Sequence, residues 1–369
     1  MTILTINTGS SSVRLSAFSR HGDGLTELAG ERHALNGNDP ESLLREFMQT
    51  HGLAPADTVA HRVVHGGERF TGACLLDYEA EREIGRLAPL APLHNPSALR
   101  WIRAAREVLG KNTAQVAVFD TAFFAVLPEI ARTYAIPHAL AKKHGLRRYG
   151  FHGLAHQAMW RRWCALRPDI PGGGRVITLQ LGSGCSIAAI EEGMPRDTSM
   201  GFSPLEGLMM ATRPGDIDAG LIAYLQHQEG LTPEQTGHLL NEQSGLLGVS
   251  GISADMRLLL ESEEASARLA VELYCYRARK YLGAYLAVLG GADAIVFGGG
   301  VGENAAAVRQ KILAGMEWCG IEIDPEKNRA ANGMEVCISN QASRVAVWVV
   351  PGNEAAVLAR EALAVIAIK

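Results

Sequence analysis

Two polar turns in the sequence carry side chains that could bind phosphate groups. Residues 7–12 (NTGSSS) follow the β-branched run 3–6, and residues 180–184 (QLGSG) follow the similar run 176–179. Hydroxyl and amide side chains on a glycine turn can bind phosphate oxygens or a hydrated Mg²⁺. An ordinary hairpin turn would explain either segment alone, but the second copy favours a clamp around a polyphosphate. Neither turn is a Walker loop, because G-x-x-x-x-G-K followed by Ser or Thr occurs nowhere in the chain.

A second group combines arginine, histidine and aspartate side chains. Arg62 lies in the segment 61–69 (HRVVHGGER), where cationic residues surround a Gly-Gly pair. An arginine can hold a carboxylate or a phosphate through two hydrogen bonds, although a surface turn with ordinary ion pairs remains an alternative. Asp120 ends the apolar run 116–119, where a carboxylate needs a cation or a donor as partner. Mg²⁺ is the natural candidate in a phosphoryl-transfer site, and capping of the following helix is the alternative role.

Three further segments are rich in glycine, histidine and arginine. Residues 94–96 (HNP) follow two prolines, which favours a fixed loop, although a lone histidine such as His94 is more often structural. Residues 147–153 (RRYGFHG) and 197–218, which include Arg213, match neither a plain helix nor a plain strand. We interpret the segments 147–153 and 197–218 as walls of a site, with a long structural loop as the alternative.

These segments alternate with predicted strands and helices. We expect strands at 3–6, 13–18, 116–119, 176–179, 185–190, 294–297 and 345–350, and helices at 40–51, 97–109, 154–165, 218–229, 232–241, 265–289 and 355–366. Expected N-caps are Asp39, Ser97 and Thr232. This alternation indicates an α/β architecture, in which ligands bind at the carboxyl ends of strands. The two hairpins of one design, at 3–18 and 176–190, indicate a duplicated domain.

Length and composition narrow the class of protein. A chain of 369 residues suggests two domains, and its content of 47% hydrophobic and 20% charged residues is ordinary for a globular protein. The formal net charge of −4 argues against a general nucleic-acid-binding protein. The six cysteines form no zinc-binding spacing, so we expect reduced thiols in a cytoplasmic protein. We also expect no signal peptide and no membrane span.

Taken together, the motifs resemble those of the acetate kinase family. Nine phrases occur in that family's order over nearly the whole chain: NTGSSS, HRVVHGGE, LAPLHNP, VAVFDTAF, RRYGFHG, DTSMGFSPLEGLMMATRPGDID, SGLLGVSG with SADMR, FGGGVGEN and PGNE. One such phrase would be weak, whereas nine in order are highly specific.

The resemblance implies both a fold and an activity. The fold would consist of two related ribonuclease-H-like α/β domains of the actin-like ATPase type, with the active site in a cleft between them. The first domain would comprise residues 1–122 and 352–369, and the second, with most of the nucleotide site, residues 123–351. The activity would be reversible transfer of a phosphoryl group from ATP to acetate, with Mg²⁺ or Mn²⁺, giving acetyl phosphate and ADP. Propionate would be a further acceptor, and the enzyme would be a cytoplasmic homodimer without nucleic-acid or membrane partners.

The same resemblance implies roles for individual residues. Asp120 would be the essential acidic residue, His152 would stabilise the transition state, and Arg213 would act with Arg62 on the carboxylate and the phosphoryl group. The metal would be held by Asn7 and Glu354. The substrate would contact Arg62, Val64, Leu93, His94, Phe151 and Pro204. The nucleotide would contact Ser10, Ser12, Arg14, Gln180, Leu181, Gly182, Ser183, Gly184, Asp255, Met256, Arg257, Gly300, Val301, Gly302, Glu303 and Asn304. Since a carboxylic acid is already ionised at pH 7, we interpret Asp120 as a partner of Mg²⁺ or its water shell rather than as a general base.

Several residues depart from the family pattern. Arg14 stands where the family usually has lysine, Gln180 where it has histidine, and Ser183 where it has asparagine. Because these three positions lie beside the expected phosphate path, the donor could also be another nucleotide or pyrophosphate. The acceptor could be an acid longer than acetate. In a different class of protein, the chain could be a catalytically inactive scaffold that binds a nucleotide.

Overall fold

The structure, a computed structural model, describes residues 1–9, 12–22, 24–35, 39–92 and 94–367. Its strands are β1 (Thr2–Thr8), β2 (Ser12–His21), β3 (Gly24–Ala34), β4 (Thr58–Val63), β5 (Cys74–Leu75), β6 (Ala114–Phe119), β7 (Arg175–Leu181), β8 (Cys185–Glu191), β9 (Met194–Thr198), β10 (Ala294–Gly298), β11 (Val336–Cys337) and β12 (Ala346–Val349). Its helices are α1 (Pro40–Thr50), α2 (Tyr78–Arg86), α3 (Asn95–Leu109), α4 (Glu129–Arg132), α5 (His138–His144), α6 (Gly153–Leu166), α7 (Ala219–Glu229), α8 (Pro233–Glu242), α9 (Gly245–Ser250), α10 (Met256–Glu261), α11 (Ala265–Leu289), α12 (Gly299–Asn304), α13 (Ala306–Leu313), α14 (Pro325–Ala330) and α15 (Glu354–Ala367).

The chain divides into two compact units with one sheet each. The first unit comprises Met1–Ala125 and Asn353–Lys369, and the second comprises Val126–Gly352. The strand order is β3-β2-β1-β4-β6-β5 in the first sheet and β9-β8-β7-β10-β12-β11 in the second. In both sheets an antiparallel three-stranded meander is followed by two parallel strands and a short antiparallel edge strand. The α/β fold and the duplication predicted from the two hairpins are therefore confirmed.

Alternation along β1 and β4 decides which side chains of the first unit face which helices. Leu4 and Ile6 pack with Trp101 and Phe47 of α3 and α1, whereas Ile3 packs with Ala355 of α15 on the other face. Because neighbouring side chains on a strand point to opposite faces, Asn7 lies on the face of Ile3. The same face therefore carries the polar groups that follow the apolar part of the strand.

Alternation in the second unit directs polar side chains toward α6. Val176 on β7 packs against Met159 and Trp163 of α6. Thr178 and Gln180 share the face of Val176 because they follow it at intervals of two residues. The register of β8 places Ser186 directly opposite Gln180, so these polar residues lie on one surface beneath α6.

Most predicted helices are confirmed, but one predicted cap is wrong. The Asp39 carboxylate accepts a hydrogen bond from the Ser42 amide at 3.0 Å, and Thr232 forms a capping box with Gln235. Ser97, however, lies inside α3, which begins at Asn95. The Asn95 side chain accepts from the His65 amide at 3.2 Å and donates to the His65 carbonyl oxygen at 3.0 Å, which ties the first residue of the helix to the segment after β4.

Candidate active site

Arg62 and Asp120 form a buried ion pair where two parallel strands of the first unit end. The Arg62 Nη2–Asp120 Oδ2 distance is 2.5 Å, and Arg62 Nε lies 3.1 and 3.0 Å from the two carboxylate oxygens. Asp120 is only 1% exposed. Burial raises the pKa of Asp120, and the Arg62 guanidinium opposes that rise. Asp120 does not cap the following helical turn, 122–124, so its alternative role as a helix cap is excluded.

Asn7 connects this ion pair to α15. Its Nδ2 donates to Glu354 Oε2 at 2.7 Å, and its Oδ1 accepts from Arg62 Nη1 at 3.2 Å. Glu354 is the first residue of α15. Four residues predicted from the sequence (Asn7, Arg62, Asp120 and Glu354) are therefore brought together on one face of the first sheet.

The oxygen atoms of this group fit a magnesium ion. Among the described residues no cluster of three or more His, Cys, Asp or Glu side chains could hold a metal. Asp120 and Glu354 nevertheless supply two carboxylates, and Asn7 supplies an amide oxygen. Mg²⁺ keeps several water ligands and is commonly held by one or two carboxylates together with substrate phosphates. These oxygen ligands therefore suit Mg²⁺ better than a metal ion whose ligands all come from protein side chains.

Of the other residues expected in the first unit, Val64, Arg14 and Ser12 have no side-chain hydrogen bond to this group within the described part of the chain. Val64 directly follows β4 and is 6% exposed. His94 immediately precedes α3. Arg14 stands opposite Asn7 in the β1–β2 register, but its guanidinium pairs with Glu27 at 3.3 Å. Ser12 accepts a hydrogen bond from Arg32 at 3.0 Å, while Ser10 and Leu93 lie outside the described residues.

His152 occupies an unusual backbone conformation immediately before α6. Its φ of 58° lies in the left-handed region, which is unfavourable for a residue with a side chain. Its Nδ1 lies 2.9 Å from Ser186 Oγ. A Cβ atom on Gly184 would lie 3.2 Å from His152 Nε2, so the glycine lets the predicted nucleotide loop lie against the imidazole ring.

The two predicted phosphate-binding loops of the second unit lie side by side. β7 and β10 are parallel neighbours, and Gln180 pairs with Gly298 at their carboxyl ends. Gly299 has a φ of 75°, and a Cβ atom there would meet the Leu181 carbonyl oxygen at 2.6 Å. Residues 300–304, implied as nucleotide contacts, form most of α12. Glu303 Oε1 accepts hydrogen bonds from the amides of Gly299 and Gly352, both at 3.0 Å.

Arg213 is a partly buried cation held by neutral groups. Its Nη1 donates to the Pro204 carbonyl oxygen at 3.0 Å, and within the described part of the chain it has no carboxylate partner. Burial lowers the pKa of Arg213. The Ala211 amide donates to the Ser183 carbonyl oxygen at 3.0 Å, which ties the loop that carries Arg213 to the nucleotide loop.

Other residues expected at the nucleotide or substrate have simpler surroundings. Asp255 caps α10 and pairs with Arg257 at 2.6 Å, and the Arg257 side chain is 86% exposed. Met256 and Phe151 are buried. Within the described residues, no hydrogen bond joins Asp255, Met256 or Arg257 to the two glycine loops.

Several residues around the site were not singled out from the sequence. Glu206 receives hydrogen bonds from Arg148 at 2.5 Å and from Tyr134, and it anchors the loop that carries Pro204. Asp216 accepts a hydrogen bond from the Gly207 amide within the loop that carries Arg213. Ser186 is hydrogen-bonded to the His152 ring. These residues lie within or next to motifs that the sequence did indicate, but only their contacts reveal a role.

Known proteins resemble this chain over nearly its whole length. The acetokinase family matches residues 24–360. An acetate kinase from Chloroherpeton thalassium is 49% identical over 84% of this chain and 75% of its own. A solved acetate kinase from Porphyromonas gingivalis is 37% identical, covers 99% of both chains and has a TM-score of 0.89. A solved propionate kinase from Francisella tularensis is 33% identical over 98% of both chains, with a TM-score of 0.88.

Among the described residues, no helix is long and apolar enough to cross a membrane.

Proposed function

The chain belongs to the acetokinase family, and on that basis we propose that it transfers a phosphoryl group reversibly between ATP and acetate, with Mg²⁺, giving acetyl phosphate and ADP. Members of this family are phosphotransferases with a carboxyl group as acceptor, and this chain is an enzyme of that class. The inactive scaffold is therefore dropped.

The observation that carries the proposal is the environment of Arg213. The Arg213 guanidinium is partly buried, is held by a carbonyl oxygen, and has no negatively charged partner among the described residues. Burial of an unpaired charge is unfavourable, so an anion is the expected partner. A carboxylate or a transferring phosphoryl group matches a guanidinium in shape and charge.

In the first unit, Arg62 is the corresponding cation. Asp120 and Asn7 fix its guanidinium, so that little reorganisation is needed when an anion binds. Asn7, Asp120 and Glu354 would hold Mg²⁺ directly or through water, and a bound Mg²⁺ would neutralise charge on the phosphates. Asp120 needs no proton from acetate, because acetate is ionised at neutral pH.

In the second unit, His152 and the backbone of the glycine loops would face the phosphates. Phosphoryl transfer depends mainly on positioning and charge stabilisation. Preorganised N–H donors at His152, at 182–184 and at 300–304 would supply this stabilisation. The roles of Ser12, Arg14 and residues 255–257 in nucleotide binding belong to the same proposal.

The acceptor pocket would be small and apolar. Val64, Leu93, Phe151 and Pro204 would surround the substrate methyl group, with His94 nearby. We propose that propionate is also accepted, since the solved propionate kinase shares 33% identity with this chain.

The environment of Gln180 supports binding of a phosphoryl donor and is compatible with two candidate donors. Its Oε1 is buried and has no hydrogen-bond partner among the described residues. A buried acceptor without a donor is unfavourable, so a ligand or a water molecule on Mg²⁺ is its expected partner. MgATP is our proposed donor. Pyrophosphate is the second candidate, because Arg14 is turned to Glu27.

The test is formation of acyl phosphate, trapped as the hydroxamate. Acetate, propionate and butyrate would each be combined with MgATP, MgGTP and pyrophosphate. We expect turnover with acetate and MgATP, and less with propionate. If only pyrophosphate supports turnover, the proposed donor, MgATP, is wrong. If the folded protein forms no acyl phosphate with any combination of acid and donor, the proposed function is wrong.

We also propose that residues 1–122 and 352–369 form the first functional domain and that residues 123–351 form the second, which carries most of the nucleotide site.

We propose further that the protein is a homodimer in the cytoplasm. Leu221 and Tyr224 on α7 are 44% and 61% exposed, and no residue of α7 is buried. A second copy of the chain would cover this apolar surface. Light scattering should give a dimer mass, and Leu221→Asp with Tyr224→Asp should give a monomer; a monomeric wild-type protein would refute the dimer. Six free thiols suit a reducing compartment.

A further inference from the structure

Four side chains of the second unit form a continuous hydrogen-bonded chain that ends at His152. Thr178 Oγ1 lies 2.7 Å from His156 Nδ1, and His156 Nε2 lies 2.8 Å from Ser186 Oγ. Ser186 Oγ in turn lies 2.9 Å from His152 Nδ1. Sheet register and helix packing create this arrangement, because β7 and β8 present Thr178 and Ser186 to the two histidines, which lie one turn apart at the start of α6.

The imidazole of His156 is uncharged within this series of hydrogen bonds. Its side chain is fully buried, and burial lowers its pKa to about 3. A neutral imidazole has one N–H donor and one acceptor nitrogen. The direction of every hydrogen bond in the chain is therefore linked to the tautomer of His156.

The number of available donor hydrogens favours one donor-to-acceptor direction for these hydrogen bonds. Among the described residues, the Thr178 hydroxyl forms one hydrogen bond, to His156 Nδ1. If Thr178 donates to Nδ1, the proton of His156 is on Nε2 and donates to Ser186 Oγ. The Ser186 hydroxyl then donates to His152 Nδ1. The opposite direction would leave the buried Thr178 hydroxyl without an acceptor, which is unfavourable.

We propose that Ser186, oriented by His156 and Thr178, holds His152 in the neutral tautomer with its proton on Nε2, so that Nε2–H faces the nucleotide loop as a donor to phosphate. Ser186, His156 and Thr178 are thus positioning residues, while His152 contacts the reacting group. This inference rests on the proposed function for the identity of the acceptor. The assignment of the tautomer itself depends only on the hydrogen-bond geometry.

The position of Gly184 supports the orientation of the ring. A Cβ atom at Gly184 would lie 3.2 Å from both Cε1 and Nε2 of His152, so the Nε2 side of the ring lies against this loop. Nδ1 is directed to Ser186 on the other side. The His152 carbonyl oxygen accepts the first hydrogen bond of α6, from the His156 amide at 3.0 Å. The imidazole ring is therefore held between Gly184 and Ser186 at the start of this helix.

The direct test is nitrogen-15 NMR of the full-length protein labelled in histidine. Long-range nitrogen–proton spectra distinguish a protonated ring nitrogen from an unprotonated one, and a His152→Gln variant assigns the His152 signals. We expect Nδ1 of neutral His152 to be unprotonated and hydrogen-bonded, and Nε2 to carry the proton. A neutral His152 protonated on Nδ1 would overturn the proposal.

Variants link the tautomer to turnover. Ser186→Ala should lower kcat by about three- to tenfold, as expected for loss of one hydrogen bond, with little change in KM. Ser186→Thr keeps the hydroxyl and should restore both kcat and the His152 spectrum. Equal kcat values for Ser186→Ala and Ser186→Thr, with unchanged spectra, would contradict the positioning role.

A matched pair of threonine variants separates this role from general stability. Thr178 and Thr58 are both fully buried strand residues, and the Thr58 hydroxyl donates to the Ala114 carbonyl oxygen at 2.9 Å. Thr178→Val should alter the histidine spectra and lower kcat, whereas Thr58→Val should affect only the melting temperature. Equal effects of both variants on kcat would overturn the proposal. Absence of acyl phosphate from the wild-type protein would instead overturn the proposed function, since the NMR result does not require turnover.

Discussion

Asp120 and Arg62 depend on each other because both are shielded from water. The carboxylate is 1% exposed and takes hydrogen bonds from Nε and Nη2 of the guanidinium. An isolated charge at this position would be costly, whereas the pair is tolerated. The same pairing keeps the Arg62 guanidinium in a single orientation, which suits binding of a planar carboxylate.

We therefore expect Asp120→Asn to remove most turnover and also to destabilise the first unit. The amide cannot neutralise Arg62 or serve as a charged partner of Mg²⁺. Removal of one member of a buried pair costs about 3 kcal/mol or more in the free energy of unfolding. Hydroxamate formation and urea unfolding would measure the two effects. Asp169→Asn is the control, because Asp169 forms an exposed pair with Arg167 and should change neither quantity. Near-normal turnover by folded Asp120→Asn would contradict the assigned role.

Val64 gives a prediction about acceptor size. It is 6% exposed and follows Arg62 by two residues at the end of β4. Val64→Ala should raise the ratio of kcat/KM for propionate to that for acetate, because it enlarges the pocket by about two methyl groups. The change should be about tenfold, since one methylene in an apolar pocket is worth roughly 1–3 kcal/mol.

The neighbouring Val63 supplies the control for this change. Val63 is fully buried in the apolar core on the other face of the strand. Val63→Ala should lower the melting temperature without altering the preference between the acids. Identical preferences for the Val64→Ala and wild-type proteins would remove Val64 from the pocket.

At the scale of secondary-structure elements, the loop that carries Arg213 is closed by Asp216 and anchored to α11. Asp216 Oδ1 accepts from the Gly207 amide at 2.8 Å, and the Asp216 amide donates to the Gly207 carbonyl oxygen at 3.0 Å. The Tyr281 hydroxyl donates to Asp216 Oδ2 at 2.7 Å. The position of the Arg213 guanidinium therefore depends on a tyrosine of a long helix.

Tyr281→Phe should weaken binding of the acceptor while the fold is retained. One hydrogen bond contributes about 1 kcal/mol, so we expect KM for acetate to rise about fivefold. Steady-state kinetics would measure the change. Tyr276→Phe on the same helix is the matched control, because Tyr276 is 59% exposed and should be neutral. Equal KM values for the two variants would show that the loop does not depend on this contact.

The sequence could predict those elements whose signals are local. Thr232 and Gln235 indicate a helix start by their spacing alone, and the structure confirms it. Asn95 could not be recognised in this way, because its amide bonds the distant backbone of His65. Ser186 and Asp216 were missed for the same reason: their partners are fixed by strand register and helix packing. The residues proposed to contact the substrates and Mg²⁺ were visible as motifs, whereas those that position them, charged or not, were not.

At the scale of the whole molecule, two sheets share the same strand order, and the unit of the first sheet is completed by a distant part of the chain, the C-terminal helix α15. Asn7 and Glu354 are hydrogen-bonded although they are 347 positions apart. The duplication could be predicted because both hairpins repeat one pattern. The residue types at the ends of the strands could not be predicted from the duplication. The first sheet carries Arg62 and Asp120 at these ends, whereas the second sheet carries the glycine loops.

Each unit also contains a neutral, fully buried histidine, which predicts how the molecule responds to acid. Burial lowers the pKa of His61 and His156 to about 3 from the ordinary 6.5. The unfolded chain therefore takes up protons first as the pH falls. The contribution of each histidine to stability is complete above pH 6.5 and is lost progressively between pH 6.5 and 3, by about 1.4 kcal/mol per pH unit. Asp120 acts in the opposite direction, because burial raises its pKa, so the measurement is best made above pH 5.

Hydrogen exchange of peptides from β4 and β7 would measure this loss in the two units separately. Between pH 6.5 and 5 we expect the opening free energy to fall by roughly 2 kcal/mol for each buried histidine. His61→Gln should reduce the pH dependence in β4 and leave that of β7 unchanged; the remaining dependence in β4 comes from the buried His65, whose pKa is lowered to about 4 by burial. His238→Asn, at an exposed histidine, should change neither. A wild-type opening free energy that is constant over this range would mean that the buried histidines are protonated in the folded protein, and the neutral His156 on which the proposed tautomer depends would then be excluded.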